Sequence, residues 1–154
     1  MEASGPQLVI DVPAWVDAAT AAGVNSVVRR QNSDLHAEIV ALMLAQQRVG
    51  SFTLRAPGQP AHELVTSCEP CAMCLGATLW SGVSRLVIAA TREDAMAVGF
   101  EEGPVFPESY AYIAERGVTT VWGVGREEAA SLLRGYRDGG GAIYNAVPPP
   151  GRAG

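Results

Sequence analysis

The sequence predicts a single α/β domain in which layers of helices cover a sheet. The chain has 154 residues, which is enough for one domain and short for two. Apolar residues make up 48% of it and charged residues 18%, a balance typical of a globular protein with a sizeable core. Segments with the pattern of strands alternate with segments with the pattern of helices, which is the order that a layered α/β domain requires.

The first third of the chain predicts two strands and two helices. The apolar run LVIDV predicts a strand over 8–12, and a helix over 13–22 follows, with a proline at its start and Gly23 after its end. Residues 24–29 predict a second strand. A stronger helix over 35–48 has apolar residues at helical spacing and stops at Gly50.

The rest of the chain continues the alternation. We expect strands over 63–67, 85–90 and 118–124, and helices over 70–82, 109–116 and 126–136. A loop rich in glycine and proline over 99–107 follows a short helical piece. We expect residues 1–146 to form one domain and the Pro/Gly-rich residues 147–154 to form a flexible tail.

Composition and charge exclude several classes of function. The formal net charge is −5 and no lysine occurs, so we expect no nucleic-acid partner and no lysine-based chemistry. No apolar run is long enough for a membrane helix, and the N-terminus has no secretory pattern. The three cysteines all lie between residues 68 and 74, which predicts a metal or catalytic use in a reducing compartment. We therefore expect a cytoplasmic protein without a membrane partner.

Two short motifs carry the candidate chemistry. His36-Ala37-Glu38 begins one predicted helix, and Pro70-Cys71-Ala72-Met73-Cys74 begins another. One imidazole (His36) and two thiolates (Cys71 and Cys74) form a three-ligand zinc set, which leaves a fourth position for water or hydroxide, as catalytic zinc sites require. Glu38 lies two residues from the histidine, so its side chain points elsewhere than the ligand and suits a proton carrier. We expect one zinc ion per chain.

Other interpretations of these residues remain open. Each motif alone is weak evidence for a metal site. A buried histidine with two thiols in the core would need no metal. Cys68 continues the Cys-x-x-Cys spacing, but an iron–sulfur cluster would need a fourth thiolate, so we expect Cys68 to be a packed residue beside the site. We also expect Trp80, at the end of its helix, to belong to the core.

An H-x-E motif followed by P-C-x-x-C is the pattern of zinc nucleobase deaminases. The chain resembles the cytidine deaminase-like superfamily and, within it, the bacterial guanine deaminase branch. The stretch over 63–104, ELVTSCEPCAMCLGATLWSGVSRLVIAATREDAMAVGFEEGP, carries most of the resemblance, and LLRGYRDGGGAIYNA near the C-terminus adds to it. The resemblance covers about residues 24–146 and implies a three-layer α/β/α fold with a mixed central sheet.

The resemblance also implies roles for individual residues. Besides the zinc ligands and the proton shuttle Glu38, it implies that Asn25 contacts the edge of the base and that Phe100 lies near the ring. It implies a second catalytic acid at Glu101 or Glu102, of which we favour Glu102. The alternatives are a strand end for Asn25, a core position for Phe100 and a solvated loop for the two acids. Tyr144 and Asn145 are candidates to close a pocket of this chain or of a neighbouring one.

The chain departs from the family upstream of Asn25. The family carries a first helix and a strand there, and about that much chain is missing between the N-terminal LVIDV segment and Gly23. Losing an internal strand leaves backbone groups and apolar surface uncovered. Three explanations stay open: the LVIDV segment replaces the strand, a partner chain supplies it, or the segment has been excised.

The function that the resemblance implies is deamination of free guanine to xanthine and ammonia by a zinc aminohydrolase. Deamination of adenosine in tRNA shares both motifs but fits poorly with the acidic charge, and deamination of cytosine is a further alternative. A zinc-stabilised protein without catalysis is the alternative outside enzymes. We expect a small purine substrate and a homodimer, since members of the superfamily usually associate and uncovered apolar patches mark interfaces.

Overall fold

The computed structural model of the chain describes residues 20–145. The predicted strand over 8–12, most of the predicted helix over 13–22 and the predicted tail over 147–154 lie outside the described residues. In the described part, no helix combines the length and the apolar character that crossing a membrane would need.

Among residues 20–145, three parallel strands form a sheet in the spatial order β1-β2-β3. Their bounds are β1 (Glu63–Cys68), β2 (Arg85–Ala90) and β3 (Thr119–Trp122), which confirms the strands predicted over 63–67, 85–90 and 118–124. Val65 of β1 pairs with Val87 of β2, which in turn pairs with Val121 of β3. Leu86 and Ile88 of the central strand are fully buried, so β2 forms the middle of the core.

In the described part of the chain, six helices surround the sheet. They are α1 (Val27–Arg30), α2 (Ala37–Val49), α3 (Ala72–Ser81), α4 (Arg92–Ala97), α5 (Pro107–Glu115) and α6 (Arg126–Asp138). The predicted helices over 35–48, 70–82, 109–116 and 126–136 are therefore confirmed to within a few residues. Left-handed glycines end two of them, Gly50 after α2 and Gly82 after α3, as a helix C-terminus favours.

The layers follow from the alternation of side chains along the strands. One face of the sheet packs against α2, α3 and α5 in a single apolar cluster that includes Leu42, Leu64, Leu75, Ile88 and Ile113. Helix α6 contacts β2 and buries two alanines outside that cluster, so it covers the opposite face. This is the expected three-layer α/β/α arrangement. All three strands are parallel, and the antiparallel strand of a mixed sheet does not occur among residues 20–145.

Two local predictions are wrong. Residues 24–29 do not form a strand, because the side-chain oxygen of Asn25 accepts a hydrogen bond from the backbone of Val27 (3.2 Å) and the chain turns there into α1. Trp80 is not in the core but 80% exposed. Helix α3 buries the face that carries Cys74, Leu75 and Thr78, and helical spacing puts Trp80 on another face.

Candidate active site

Three potential metal ligands meet beyond the C-terminal end of β1. His36 immediately precedes α2, Cys71 immediately precedes α3, and Cys74 lies in the first turn of α3. The Nδ1 atom of His36 and the Sγ atom of Cys71 are 3.6 Å apart, and the ligand atoms of all three residues lie within 4.8 Å of one another. In a tetrahedral zinc site, bonds of about 2.1 and 2.3 Å put nitrogen and sulfur ligands about 3.6–3.8 Å apart. The donor set therefore fits zinc.

The two thiols differ in their electrostatic state. A hydrogen bond from the Cys74 thiol, aided by one from His36, lowers the pKa of Cys71 to about 4. The hydrogen bond to Cys71, together with burial, raises the pKa of Cys74. The interaction with Cys71 also raises the pKa of His36. A thiolate is thus favoured beside the imidazole, and metals bind deprotonated thiols.

Glu38 lies in the first turn of α2, next to these ligands but outside their set. Within residues 20–145 the group of potential ligands contains no carboxylate. Burial is the main cause that raises the pKa of Glu38, while the charge of His36 lowers it. A carboxyl group with a raised pKa beside a metal site can take up and return protons. Glu38 therefore lies beside the potential ligands without being one of them, and its role as proton carrier stays a prediction.

The loop between α4 and α5 brings Glu102 to the same place. The carbonyl oxygen of Glu102 accepts a hydrogen bond from the backbone N–H of Ala72, at the start of α3 (3.0 Å). The next residue, Gly103, has a φ of 70° and approaches the Ala72 side chain, where the left-handed conformation favours glycine. Burial, followed by the charges of Cys71 and Glu38, raises the pKa of Glu102 to about 7. Glu101 is exposed.

Tyr144 covers the site from the C-terminal side of the chain. Its hydroxyl oxygen accepts a hydrogen bond from the Asn25 side-chain amide (2.6 Å). Its ring lies 5.8 Å from the His36 ring and 5.0 Å from the Phe100 ring, measured between centroids. Within the single chain described, Tyr144 lies beside His36, and closure of the pocket by this chain or by a neighbouring one stays a prediction. Aromatic rings and an amide thus line the space beside the potential metal ligands.

Asn145 fastens this C-terminal segment to the loop that carries Phe100. Its side-chain amide donates to the carbonyl oxygen of Gly99 and its side-chain oxygen accepts from the backbone N–H of Glu101, both at 2.9 Å. The Tyr136 hydroxyl adds a hydrogen bond to the carbonyl oxygen of Ala142 (2.8 Å). The loop and the C-terminal segment therefore hold each other in position.

A close approach between two backbones positions Asn25. The chain passes so near the first turns of α2 that a Cβ at Gly23 would overlap the carbonyl oxygen of Ala37 and the amide nitrogen of Ala41. Only glycine fits there without a shift of the chain. Two residues later, Asn25 is exposed and directs its amide nitrogen to Tyr144. The structure thus brings all the residues implied by the resemblance into one site.

A buried carboxylate that the sequence did not predict supports the site. Glu69 accepts hydrogen bonds from the Tyr110 hydroxyl and from the backbone N–H of Arg92, both at 2.9 Å. The Arg92 guanidinium in turn donates to the carbonyl oxygen of Val105 (3.0 Å). These bonds connect the turn before Cys71 with the end of the loop that carries Glu102. One feature of the sequence indicates this role, which is that Glu69 directly precedes a proline at the start of a helix.

Cys68 lies beside the site without joining the ligands, as predicted. Its thiol is directed to the carbonyl oxygen of Thr91 (3.7 Å). Burial, with the nearby charges of Glu102 and Glu38, raises its pKa to about 12. Such a thiol stays protonated at neutral pH and is a poor metal ligand.

Comparison with known proteins supports the same chemistry. The chain is 35% identical to the guanine deaminase of Bacillus subtilis over 91 residues, which are 59% of this chain and 55% of that protein. A solved structure of guanine deaminase from Nitrosomonas europaea is 47% identical with a TM-score of 0.74, covering 75% of this chain and 64% of that one. A structure of NE0047 with 2,6-diaminopurine is 49% identical with a TM-score of 0.75, covering 80% and 66%. The chain thus spans less than two thirds of the length of these relatives.

A model of a protein family also matches the sequence of this chain. The model of the cytidine and deoxycytidylate deaminase zinc-binding region matches residues 14–90, which are 77 of the 154 residues and contain the three potential ligands and Glu38. The fold, the donor set and this match agree. The chain belongs to the family defined by the cytidine and deoxycytidylate deaminase zinc-binding region.

Proposed function

We propose that the chain is a zinc-dependent aminohydrolase that converts free guanine and water to xanthine and ammonia. One observation carries the proposal: the carboxyl group of Glu102 is held beside the three ligands and Glu38, in a site that Tyr144 closes. The similarity to bacterial guanine deaminases supports it. In this reaction the bond from the ring carbon to its amino nitrogen breaks and a carbon–oxygen bond forms.

His36, Cys71 and Cys74 would hold the zinc ion. When bound, zinc supplies a Lewis acid that lowers the pKa of water at its open coordination position. The chain's own contribution is to keep the three donors within 4.8 Å of one another and one thiol ionised. Cys74 is fully buried, whereas His36 and Cys71 are partly exposed.

Two carboxyl groups divide the proton transfers. Glu38 takes a proton from water, delivers it to a ring nitrogen and later helps to protonate the departing ammonia. Glu102 accepts hydrogen bonds from the ring N–H and the amino group and assists at the leaving amine. Each carboxyl has a pKa raised by burial, which suits groups that must both accept and donate protons near neutral pH.

The base is recognised by Asn25, Phe100 and Tyr144. The Asn25 amide can hydrogen-bond the base edge once its contact with Tyr144 opens, since the two now bond to each other at 2.6 Å. The Phe100 ring faces Tyr144 at 5.0 Å and offers a surface against which a purine can stack. A second fused ring would use this surface better than the single ring of cytosine.

The leading alternative is deamination of adenosine in tRNA. The chain is 27% identical to the tRNA-specific adenosine deaminase of Buchnera aphidicola over 114 residues, which are 69% of that protein. A tRNA loop needs an open approach with basic residues, whereas this chain has a net charge of −5 and its own Tyr144 lies across the site. A small free base fits these features better.

Ammonia release from purified, zinc-loaded protein tests the proposal. The substrates are guanine, cytosine, adenosine and an unmodified tRNA, and Cys71→Ala serves as the inactive control. We expect guanine to react about 10- to 100-fold faster than cytosine or adenosine, because a buried polar group left unpaired by the wrong base costs about 1–3 kcal/mol.

Each other outcome of this screen has a definite meaning. If tRNA releases ammonia and guanine does not, the tRNA assignment replaces the present one. If cytosine reacts fastest, the pocket does not select for two rings. If no substrate reacts and zinc is fully bound, the chain is a zinc-stabilised protein without catalysis.

We also propose that the protein acts as a cytoplasmic homodimer. The three free cysteines suit a reducing compartment. The surface that we assign to the dimer is a groove of about 410 Å³ between α3 and α5, lined by Gly76, Leu79, Val105 and Tyr112 among others. Exposed apolar grooves of this kind are typical of interfaces. Pro104 and Val105 end the loop that carries Glu102, so a partner there would also support the site.

Light scattering at micromolar concentration measures this association. We expect the mass of a dimer for the natural chain and the mass of a monomer for Gly76→Arg. A Cβ at Gly76 meets no atom within 4 Å, so this substitution places a charge in the groove without disturbing the fold. A monomeric natural chain, or a Gly76→Arg variant that stays dimeric, would show that this groove is not the interface.

A further inference from the structure

The loop between α4 and α5, which carries Phe100 and Glu102, is held both in its middle and at its end. Its middle is bound to α3, because the backbone N–H of Ala72 donates to the carbonyl oxygen of Glu102 (3.0 Å). Its end is bound to the start of α4, because the Arg92 guanidinium donates to the carbonyl oxygen of Val105 (3.0 Å). This second bond joins residues 13 positions apart and encloses both α4 and the loop. It therefore limits how far the loop can move.

The backbone of Arg92 is itself fixed by a buried carboxylate. Oε2 of Glu69 accepts a hydrogen bond from the Arg92 backbone N–H, and Oε1 accepts one from the Tyr110 hydroxyl, both at 2.9 Å. Glu69 is 9% exposed and lies two residues before Cys71, so the start of α4 is fixed relative to a potential metal ligand. The Tyr110 ring packs edge-on against Trp122 of β3, with 4.7 Å between centroids. Arg92 is therefore anchored to the core and not to the loop that its side chain holds.

The charge of Arg92 reaches the site as well. Its side chain is half-buried. Burial is the main cause that raises the pKa of Glu102, whereas the charge of Arg92 lowers it. A guanidinium keeps its charge at all physiological pH values, so it attracts the Glu102 carboxylate whenever that group is ionised. This attraction favours the same position of the loop as the bond to Val105 does.

We propose that Arg92 is a positioning residue that keeps the Glu102 carboxyl at the active site by tying the end of the α4–α5 loop to the start of α4. This inference rests on the proposed function, in which Glu102 exchanges a proton with the substrate. The hydrogen bonds of Arg92 go to Glu69 and Val105, so it acts through the loop and not on the ligands. A displacement of about 1 Å at a reacting group can cost about 10²-fold in rate.

Guanine turnover by two Arg92 variants measures this effect. We expect Arg92→Ala to lower kcat/KM by about 10- to 100-fold while zinc stays fully bound. Arg92→Lys keeps a charged donor for the Val105 carbonyl, so we expect it to recover kcat/KM to within about threefold of the natural chain. Natural turnover in Arg92→Ala, or a lysine variant as impaired as the alanine variant, would overturn the proposal.

A double-variant cycle separates action through Glu102 from a general loss of structure. If Arg92 acts through Glu102, adding Arg92→Ala to Glu102→Gln lowers turnover by no more than about twofold beyond Glu102→Gln alone. If the two losses multiply in full, Arg92 acts independently of Glu102 and the proposal is wrong.

Arg126→Ala is the matched control, because it also removes a guanidinium that binds the start of α4. The hydrogen bonds of Arg126 go to Asp94 and Thr91, and its side chain is 53% exposed. We expect turnover within about twofold of the natural chain, since an exposed ion pair contributes little. A loss as large as that of Arg92→Ala would trace the effect to the stability of α4 and would contradict a specific role of the Val105 bond.

Hydrogen exchange on the zinc-loaded protein tests the positioning without any substrate. The Ala72 amide, which bonds to Glu102, should exchange about 10-fold faster or more in Arg92→Ala. The Leu75 amide bonds to the Cys71 carbonyl within the first turn of α3 (2.8 Å) and should keep its rate. Equal acceleration at both amides, or at neither, would overturn the proposal. The selective result supports the positioning even where the natural chain releases no ammonia, so a failure of the proposed function is distinguishable.

Discussion

Replacing Glu38 by glutamine is expected to abolish ammonia release while zinc stays bound. The substitution keeps the size of the side chain and removes its ability to accept a proton. Since Glu38 lies outside the set of potential ligands, the three donors stay in place. General acid–base catalysis contributes about 10²- to 10⁴-fold, and here one residue serves several transfers, so we expect a loss at the upper end of that range. Turnover with guanine and metal analysis of the same sample measure the two effects.

Cys71→Ala is the matched control for this variant. It removes a potential ligand, so we expect loss of both turnover and zinc, together with a lower melting temperature, because metal binding also stabilises the fold. Both variants are then expected to be inactive, but only Glu38→Gln is expected to retain zinc. Loss of zinc in Glu38→Gln would make Glu38 a ligand or a structural partner of one. Retained turnover would remove Glu38 from the mechanism.

The ligand set and its surroundings follow from local sequence signals. His36 and Cys71 each sit directly before a helix, and the spacing of Cys71 and Cys74 puts both thiols at one helix start. Helix N-termini favour thiolates, so the motif, the element and the chemistry agree. The predicted strands and helices after residue 35 were right for the same reason, since apolar periodicity and glycine or proline boundaries act within a few residues.

Long-range contacts could not be predicted in this way. Tyr144 contacts Asn25 across 119 positions of the chain, and no local pattern in the sequence predicts this contact. The Glu69 bonds to Arg92 and Tyr110 span 23 and 41 positions. Trp80 was misplaced because an aromatic residue at a helix end gives no information on which face the sheet will cover. Each case depends on tertiary packing.

Among residues 20–145, β1 pairs with β2 alone, so its outer edge has no strand beside it. From the sequence alone, the shortened segment before Asn25 left three explanations open. The site residues are brought together by α2, α3 and two loops, all within residues 20–145. The edge therefore bears on stability more than on the chemistry.

Replacing Glu102 by glutamine should greatly reduce guanine turnover and leave zinc bound. The carbonyl oxygen of Glu102 bonds to Ala72, and this backbone contact survives the substitution. What is lost is a carboxyl group whose pKa is raised to about 7 and which can exchange a proton with the leaving amine. We expect a loss of about 10²- to 10³-fold in kcat, in line with the removal of one positioned acid–base group. Steady-state ammonia release measures it.

Glu101→Gln is the internal control, because the two acids are neighbours and only one faces the ligands. Glu101 is exposed, and its backbone N–H bonds to Asn145 through a contact that the substitution preserves. We therefore expect Glu101→Gln to keep turnover within about twofold of the natural chain, since surface substitutions of this kind change little. A large loss in Glu101→Gln with little effect in Glu102→Gln would exchange their roles. Equal, small losses of turnover in both variants would leave Glu38 as the sole proton carrier. They would also show that neither acid of this loop takes part in the reaction.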